Sequence, residues 1–168
     1  MFTDSHCHIN AADFADDREE TVQRAREMQI TYILDVCDDI ADMPRLLDFC
    51  AKHKQIYTTA GVHPELAYKY PDFTAEQILE QAKSPYVVGV GECGLDYYYN
   101  ADIKEQQLKV LAEHIKAAQL SGLPLIIHNR ESDDDMMALL GEAYKKQKFK
   151  GELHCFSSSE KLLEFALS

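Results

Sequence analysis

Six short apolar runs, recurring about once per ~30 residues with helical patterns between them, restrict this chain more than any other feature. They fall at residues 2–9, 32–37, 56–62, 86–92, 123–128 and 151–156. The run at 86–92 is apolar almost throughout, as a strand covered on both faces must be. Between the runs lie amphipathic stretches. The spacing predicts a helix over 16–29, with Val22, Ala25 and Met28 on one face, and another over 44–53, with Leu46, Leu47, Phe49 and Cys50 inward. Thr74-Ala75-Glu76-Gln77 has the form of a capping box and opens a helix through residue 82. A long helix starts at 102–105, carries Leu108, Leu111, Ile115 and Ala118, and stops at Gly122. Ser132 caps an acidic helix start at Asp133, Asp134 and Asp135, and a last helix begins at 157–160. Strand–helix alternation of this kind means parallel strands joined by right-handed crossovers.

Two architectures share that alternation. A doubly wound nucleotide-binding sheet carries a glycine-rich turn after its first strand, whereas this chain has His6-Cys7-His8 there. A TIM-type (β/α) barrel uses eight units in ~250 residues and builds its site from the C-terminal ends of its strands. Six units in 168 residues keep the barrel's pace. The expectation is therefore an α/β, TIM-type barrel with about six of its eight units, one domain over residues 1–168 that lacks the C-terminal units.

Composition narrows the setting. With 46% hydrophobic and 27% charged residues the chain can bury a core, and no apolar run approaches the ~20 residues of a membrane span. His and Asp stand where a signal peptide would be basic and then apolar, so a soluble cytoplasmic protein without membrane contact is expected. Five cysteines without a Cys-x-x-Cys pair argue for buried free thiols. Cys93 and Cys155 each follow a candidate ligand and, on a strand, would face away from it. The net charge of −12 provides no field for non-specific nucleic-acid binding. A phosphate polymer would have to be held by local cations, bound metal ions above all.

The strand ends carry the chemistry. In an extended strand residues two apart share a face, so His6 and His8 project together while Cys7 points away. A lone His-x-His is as readily a surface pair as a metal clamp. Here, however, His63, Glu92, His128 and His154 stand at the ends of later strands, and a barrel gathers those ends on one face. Nitrogen and oxygen ligands without sulfur suit Zn²⁺, Mn²⁺ or Mg²⁺. Glu92 can bridge two divalent ions, with His6 and His8 on one and His128 and His154 on the other. Such a pair activates water and neutralises a phosphodiester.

The motifs Asp4-Ser5-His6-Cys7-His8, Gly61-Val62-His63-Pro64, Gly91-Glu92-Cys93-Gly94-Leu95-Asp96-Tyr97, Ile127-His128-Asn129-Arg130-Glu131 and His154-Cys155-Phe156-Ser157 together resemble the TatD-like metal-dependent deoxyribonucleases. The resemblance covers the whole chain. It implies His6, His8, Glu92, His128 and His154 as ligands of two metal ions, with Glu92 as the bridge, and cleavage of DNA, single-stranded or 3′-ended, with no obligate protein partner. The wider superfamily often bridges its metals through a modified lysine, so Glu92 supports the narrower family. By the same resemblance His63 and Arg130 join Glu92 in catalysis or hold substrate, Arg130 because its fork matches a phosphate. Arg130 could instead pair with Glu131 or the Asp133 to Asp135 run. Gly94-Leu95-Asp96 and the run Tyr97-Tyr98-Tyr99 fall in the loop after the fourth strand, where the tyrosines either stack on unpaired bases or, as the simpler reading, pack the rim. Family members continue through a seventh and an eighth strand and a Glu-Thr-Asp stretch that this sequence does not reach. The rival readings are a barrel metallohydrolase for an ester, lactone or amide, and an inactive fragment that binds metal or a partner chain.

Overall fold

A computed structural model describes all 168 residues. Six strands, β1 (Phe2–Cys7), β2 (Ile30–Asp35), β3 (Ile56–Ala60), β4 (Val87–Asp96), β5 (Leu125–Arg130) and β6 (Gly151–Leu153), form one parallel sheet in the order in which they occur. Six helices follow them in turn: α1 (Arg18–Glu27), α2 (Met43–Lys52), α3 (Ala75–Gln81), α4 (Lys104–Ser121), α5 (Asp133–Lys146) and α6 (Glu160–Leu167). No helix is long and apolar enough to cross a membrane.

The sheet is not flat. Laid side by side at about 4.8 Å per strand, β1 and β6 would stand roughly 24 Å apart. Yet the ring of His6, near the end of β1, stacks on that of His154, just past β6, with centroids 3.8 Å apart. Only a sheet curled into part of a barrel brings those ends together, and the barrel-type α/β architecture expected from the alternation is the one formed.

Two apolar clusters hold the curl. The larger has 24 buried residues and joins β3, β4 and β5 to helices α2 to α6 through side chains such as Leu46, Ile78, Leu111, Ile115, Met136 and Leu162. The smaller has six, Ile9, Val22, Ile33, Phe49, Cys50 and Ile56, on the β1 and β2 side. Burial of each large side chain contributes about 1.5–3 kcal/mol, so the β4 side of the molecule is the better anchored. Phe2 and Tyr32, on β1 and β2, remain largely exposed.

Local chemistry explains most boundaries. The Thr74 N–H donates to Gln77 Oε1 at 2.9 Å, half of the capping box that opens α3. Gly122 ends α4 at φ 74°, a conformation that costs a residue with a Cβ about 1 kcal/mol. Several expectations are corrected. Residues 94–96 are not loop: β4 runs on through Asp96, because its late residues pair with β5, Gly94 opposite His128 and Asp96 opposite Arg130. The last strand is shorter than expected and stops at Leu153, so Cys155 lies beyond it, exposed at φ 45°, and is not a buried thiol. The first helix ends at Glu27, which leaves Met28 exposed. Ser132 takes the N-cap position of α5 without capping; its hydroxyl donates to the Leu95 carbonyl and to Asn129 Oδ1.

Candidate metal centre

Glu92 is the hub of the strand-end cluster. It is 2% exposed, and its two carboxylate oxygens face different histidines. Oε2 lies 3.1 Å from His6 Nε2 and 3.5 Å from His8 Nε2. Oε1 lies 2.5 Å from His154 Nε2, 3.4 Å from His128 Nδ1 and 3.7 Å from His63 Nε2. The structure thus brings His6, His8, His63, Glu92, His128 and His154 to one place from β1, β4, β5 and β6, with their following turns, and the turn after β3. Asp38, after β2, joins them with Oδ1 3.3 Å from His8 Nδ1.

Charge follows from that packing. Burial works against ionisation of Glu92, but the hydrogen-bonding pull of His128, His154 and His6, with a lesser electrostatic pull from His63 in its protonated form, outweighs it and holds the carboxyl well below the usual carboxylate range. His8 titrates above its ordinary value, chiefly through its bond to Asp38. Burial depresses His128, yet the bonds to Glu92 and Asp96 reverse this and raise it. His63 is lowered, because burial there exceeds the pull of Glu92.

The donor set fits a divalent ion. Four ligand atoms about 2.0–2.1 Å from a tetrahedral ion are about 3.3–3.4 Å from one another. His6 Nε2, His8 Nε2 and Glu92 Oε2 form a triangle with edges of 3.2, 3.1 and 3.5 Å. An ionised carboxylate only accepts, so both Nε2 atoms must carry hydrogens to bond it, and two N–H groups 3.2 Å apart then repel each other. His6 Nδ1 is buried without a hydrogen-bond partner, and His8 Nδ1 and His154 Nε2 are buried with only a carboxylate oxygen of Asp38 or Glu92 in reach. A cation held among these atoms would supply the positive charge that the Glu92 carboxylate otherwise draws from the rings.

The remaining expected residues lie at the rim. Arg130, exposed at the end of β5, makes no ion pair with Glu131 or with Asp133 to Asp135; its guanidinium sits 4.3 Å from the Tyr98 ring centre and 5.2 Å from that of Tyr99. Tyr97 is half-buried, donates its hydroxyl to Asp135 Oδ2 at 2.8 Å and lies under Lys104. The acids of α5 do more than suit its dipole. Asp133 accepts from the Ser159 N–H and from Asn129 Nδ2, and Asp134 pairs with Lys161, tying α6 down. Sequence reading passed over Asp38 and Asp96. Asp38 follows the second apolar run as His63 follows the third, which was a usable signal. Asp96 lay inside a segment read as loop.

The pattern described as TatD related DNase matches residues 3–168. The chain belongs to that family. It is 32% identical over 159 residues to the metal-dependent hydrolase YabD of Bacillus subtilis, covering 95% of this chain and 62% of that protein. It is 31% identical to the 3′-5′ ssDNA/RNA exonuclease TatD of Erwinia tasmaniensis over 96% of this chain and 62% of that one. Among solved structures, the TatD homologue YjjV of Escherichia coli superposes with a TM-score of 0.88 at 29% identity, over 99% of this chain and 64% of YjjV. The chain therefore spans somewhat under two thirds of the length of these relatives.

Proposed function

We propose that this chain is the metal-bearing part of a divalent-metal-dependent hydrolase that cleaves phosphodiester bonds in single-stranded or 3′-ended DNA, within a single barrel domain. The observation that carries the reading is the division of Glu92 between two sets of histidine nitrogens. His6 and His8 would hold one ion through Glu92 Oε2, and His128 and His154 a second through Oε1, the ions being Zn²⁺, Mn²⁺ or Mg²⁺. Such ions, when bound, make water acidic and neutralise the charge of a phosphodiester.

The side chains around them have distinct tasks. His63, kept neutral at pH 7 by burial, accepts from the Glu65 N–H at Nδ1, so its hydrogen sits on Nε2, which faces Glu92 and the site and can donate there. Arg130 has unpaired donors at the rim of a strongly acidic chain, so a phosphate of the substrate is its natural partner. Tyr97 supports that rim, and Tyr98 and Tyr99 offer faces on which an unpaired base can stack. Buried, unpaired Cys37, Cys50 and Cys93 are consistent with a reducing, cytoplasmic setting.

The test is turnover of 3′-labelled single-stranded DNA, the matching RNA and an aryl ester by the Mn²⁺- or Zn²⁺-loaded chain. Preferential loss of DNA ends, abolished by Glu92→Ala, is the expected result. Ester hydrolysis without DNA cleavage would transfer the assignment to the other metallohydrolase class.

A further inference from the structure

His128 differs from the other site histidines in facing a buried carboxylate from each of its two ring nitrogens. Nδ1 faces Glu92 Oε1 at 3.4 Å, and Nε2 lies 2.9 Å from Asp96 Oδ2. Asp96 is 1% exposed and is held by three further bonds. Its N–H donates to Gln107 Oε1 at 2.7 Å, its carbonyl accepts from Gln107 Nε2 at 3.0 Å, and its Oδ1 accepts from the Tyr99 N–H at 2.8 Å. Gln107, itself fully buried on α4, also donates to the Asn100 carbonyl at 2.8 Å. Only Oδ2 is left, and it points at the imidazole. Gly94 makes that approach feasible: a Cβ there would strike the His128 carbonyl, so the two strands could not lie so close.

An ionised carboxylate can only accept, and of the two that face His128 only Asp96, at 2.9 Å against 3.4 Å for Glu92, is at hydrogen-bond distance proper, so a neutral ring carries its single hydrogen on Nε2. The other nitrogen then turns its lone pair toward Glu92. His6 and His154 have no such carboxylate behind them, and His8 has only the half-exposed Asp38.

We propose that Asp96 is a positioning residue that fixes His128 as the Nε2–H tautomer and so aims its Nδ1 lone pair at the ion shared with Glu92. The second half of this statement rests on the metal reading; the first does not. Gln107, by clasping the end of β4, makes the aim a property of the core and not of a loop.

The test uses the 168-residue chain, ¹⁵N-labelled at histidine and stripped of metal, with His128→Gln to identify the signal. At a pH where the ring is neutral, the expected NMR pattern is Nε2–H for His128; Nδ1–H overturns the proposal whatever the metal content. In Asp96→Asn the single amide oxygen can serve His128 or the Tyr99 N–H but not both, so a mixed tautomer is expected. Zn²⁺ affinity, measured by chelator competition, should weaken roughly 10–100-fold. A folded Asp96→Asn with unchanged tautomer and unchanged Zn²⁺ affinity overturns the proposal. If that variant does not fold, the wild-type spectrum alone decides. A wild-type chain that shows Nε2–H but takes up no Zn²⁺ supports the Asp96 assignment and overturns the metal reading instead.

Discussion

The end of β4 and the two outer strands serve the same cluster on different terms. Glu92 and Asp96 sit at 2% and 1% exposure beside the 24-residue core, with their backbone locked by β5 and Gln107. His6 and His8 belong to an outer strand over the six-residue cluster, and His154 to a turn beyond a three-residue strand. One region is preorganised by packing. The other holds ring nitrogens with at most a carboxylate oxygen in reach and lies next to strands that pair on one side only. The contrast teaches that the carboxylates set the frame and the outer histidines complete it.

The severest way to break the frame is Glu92→Ala. Loss of both ions is expected, a larger drop in metal content than the roughly 10–100-fold weakening that follows loss of an outer partner. His63→Ala should keep its metal, and equal content in the two variants, measured by elemental analysis, would sink the bridging role. Next comes Gly94→Ala. At φ 145° and against the His128 carbonyl, the added methyl should cost on the order of 3 kcal/mol or more in urea unfolding. Gly122→Ala, with nothing near its Cβ, should cost only about 1 kcal/mol.

A third prediction sharpens the same contrast by pH. His114 is fully buried on α4, accepts from the Val62 N–H at Nε2 and donates from Nδ1 to the Val110 carbonyl, and burial pushes it down to about 4. The unfolded imidazole titrates near 6.5, so the folded state gains from the neutral ring. That gain is complete above about 6.5 and is lost as pH falls from there through about 4, by roughly 3 kcal/mol in all. His114→Gln keeps an acceptor but does not titrate, so its stability should fall less over that window; parallel curves would refute the account. The smallest effect belongs to the rim. Arg130→Ala should weaken binding of a DNA oligonucleotide by about 1 kcal/mol and reduce the salt slope by about one, without changing metal content. An unchanged salt dependence would remove Arg130 from the substrate path.

How much of this was legible follows from the range of each interaction. The strands were visible because apolar runs such as 123–128 record burial residue by residue, and α3 announced itself through Thr74 and Gln77, three positions apart. Gly94 to Asp96 looked like a turn because glycine and aspartate favour turns locally. Their pairing with His128 to Arg130 lies more than thirty residues away and leaves no local trace. For the same reason Asp96 acquired no role in the sequence, although its partner His128 was singled out. The stacking of Arg130 on Tyr98 is likewise set by register, so charge alone offered a phosphate, or else Glu131 and the aspartates, as its partner.

The stacking of His6 on His154 has a further meaning, because those two residues enclose nearly the entire chain. Two ions joined through Glu92, one held from each end, would act as a staple across one long loop, and cross-links that close long loops restrict the unfolded chain most. Their removal should be felt first where the backbone is least held, so amide hydrogens of β1 and β6 would exchange faster in chelator while those of β4 kept their protection.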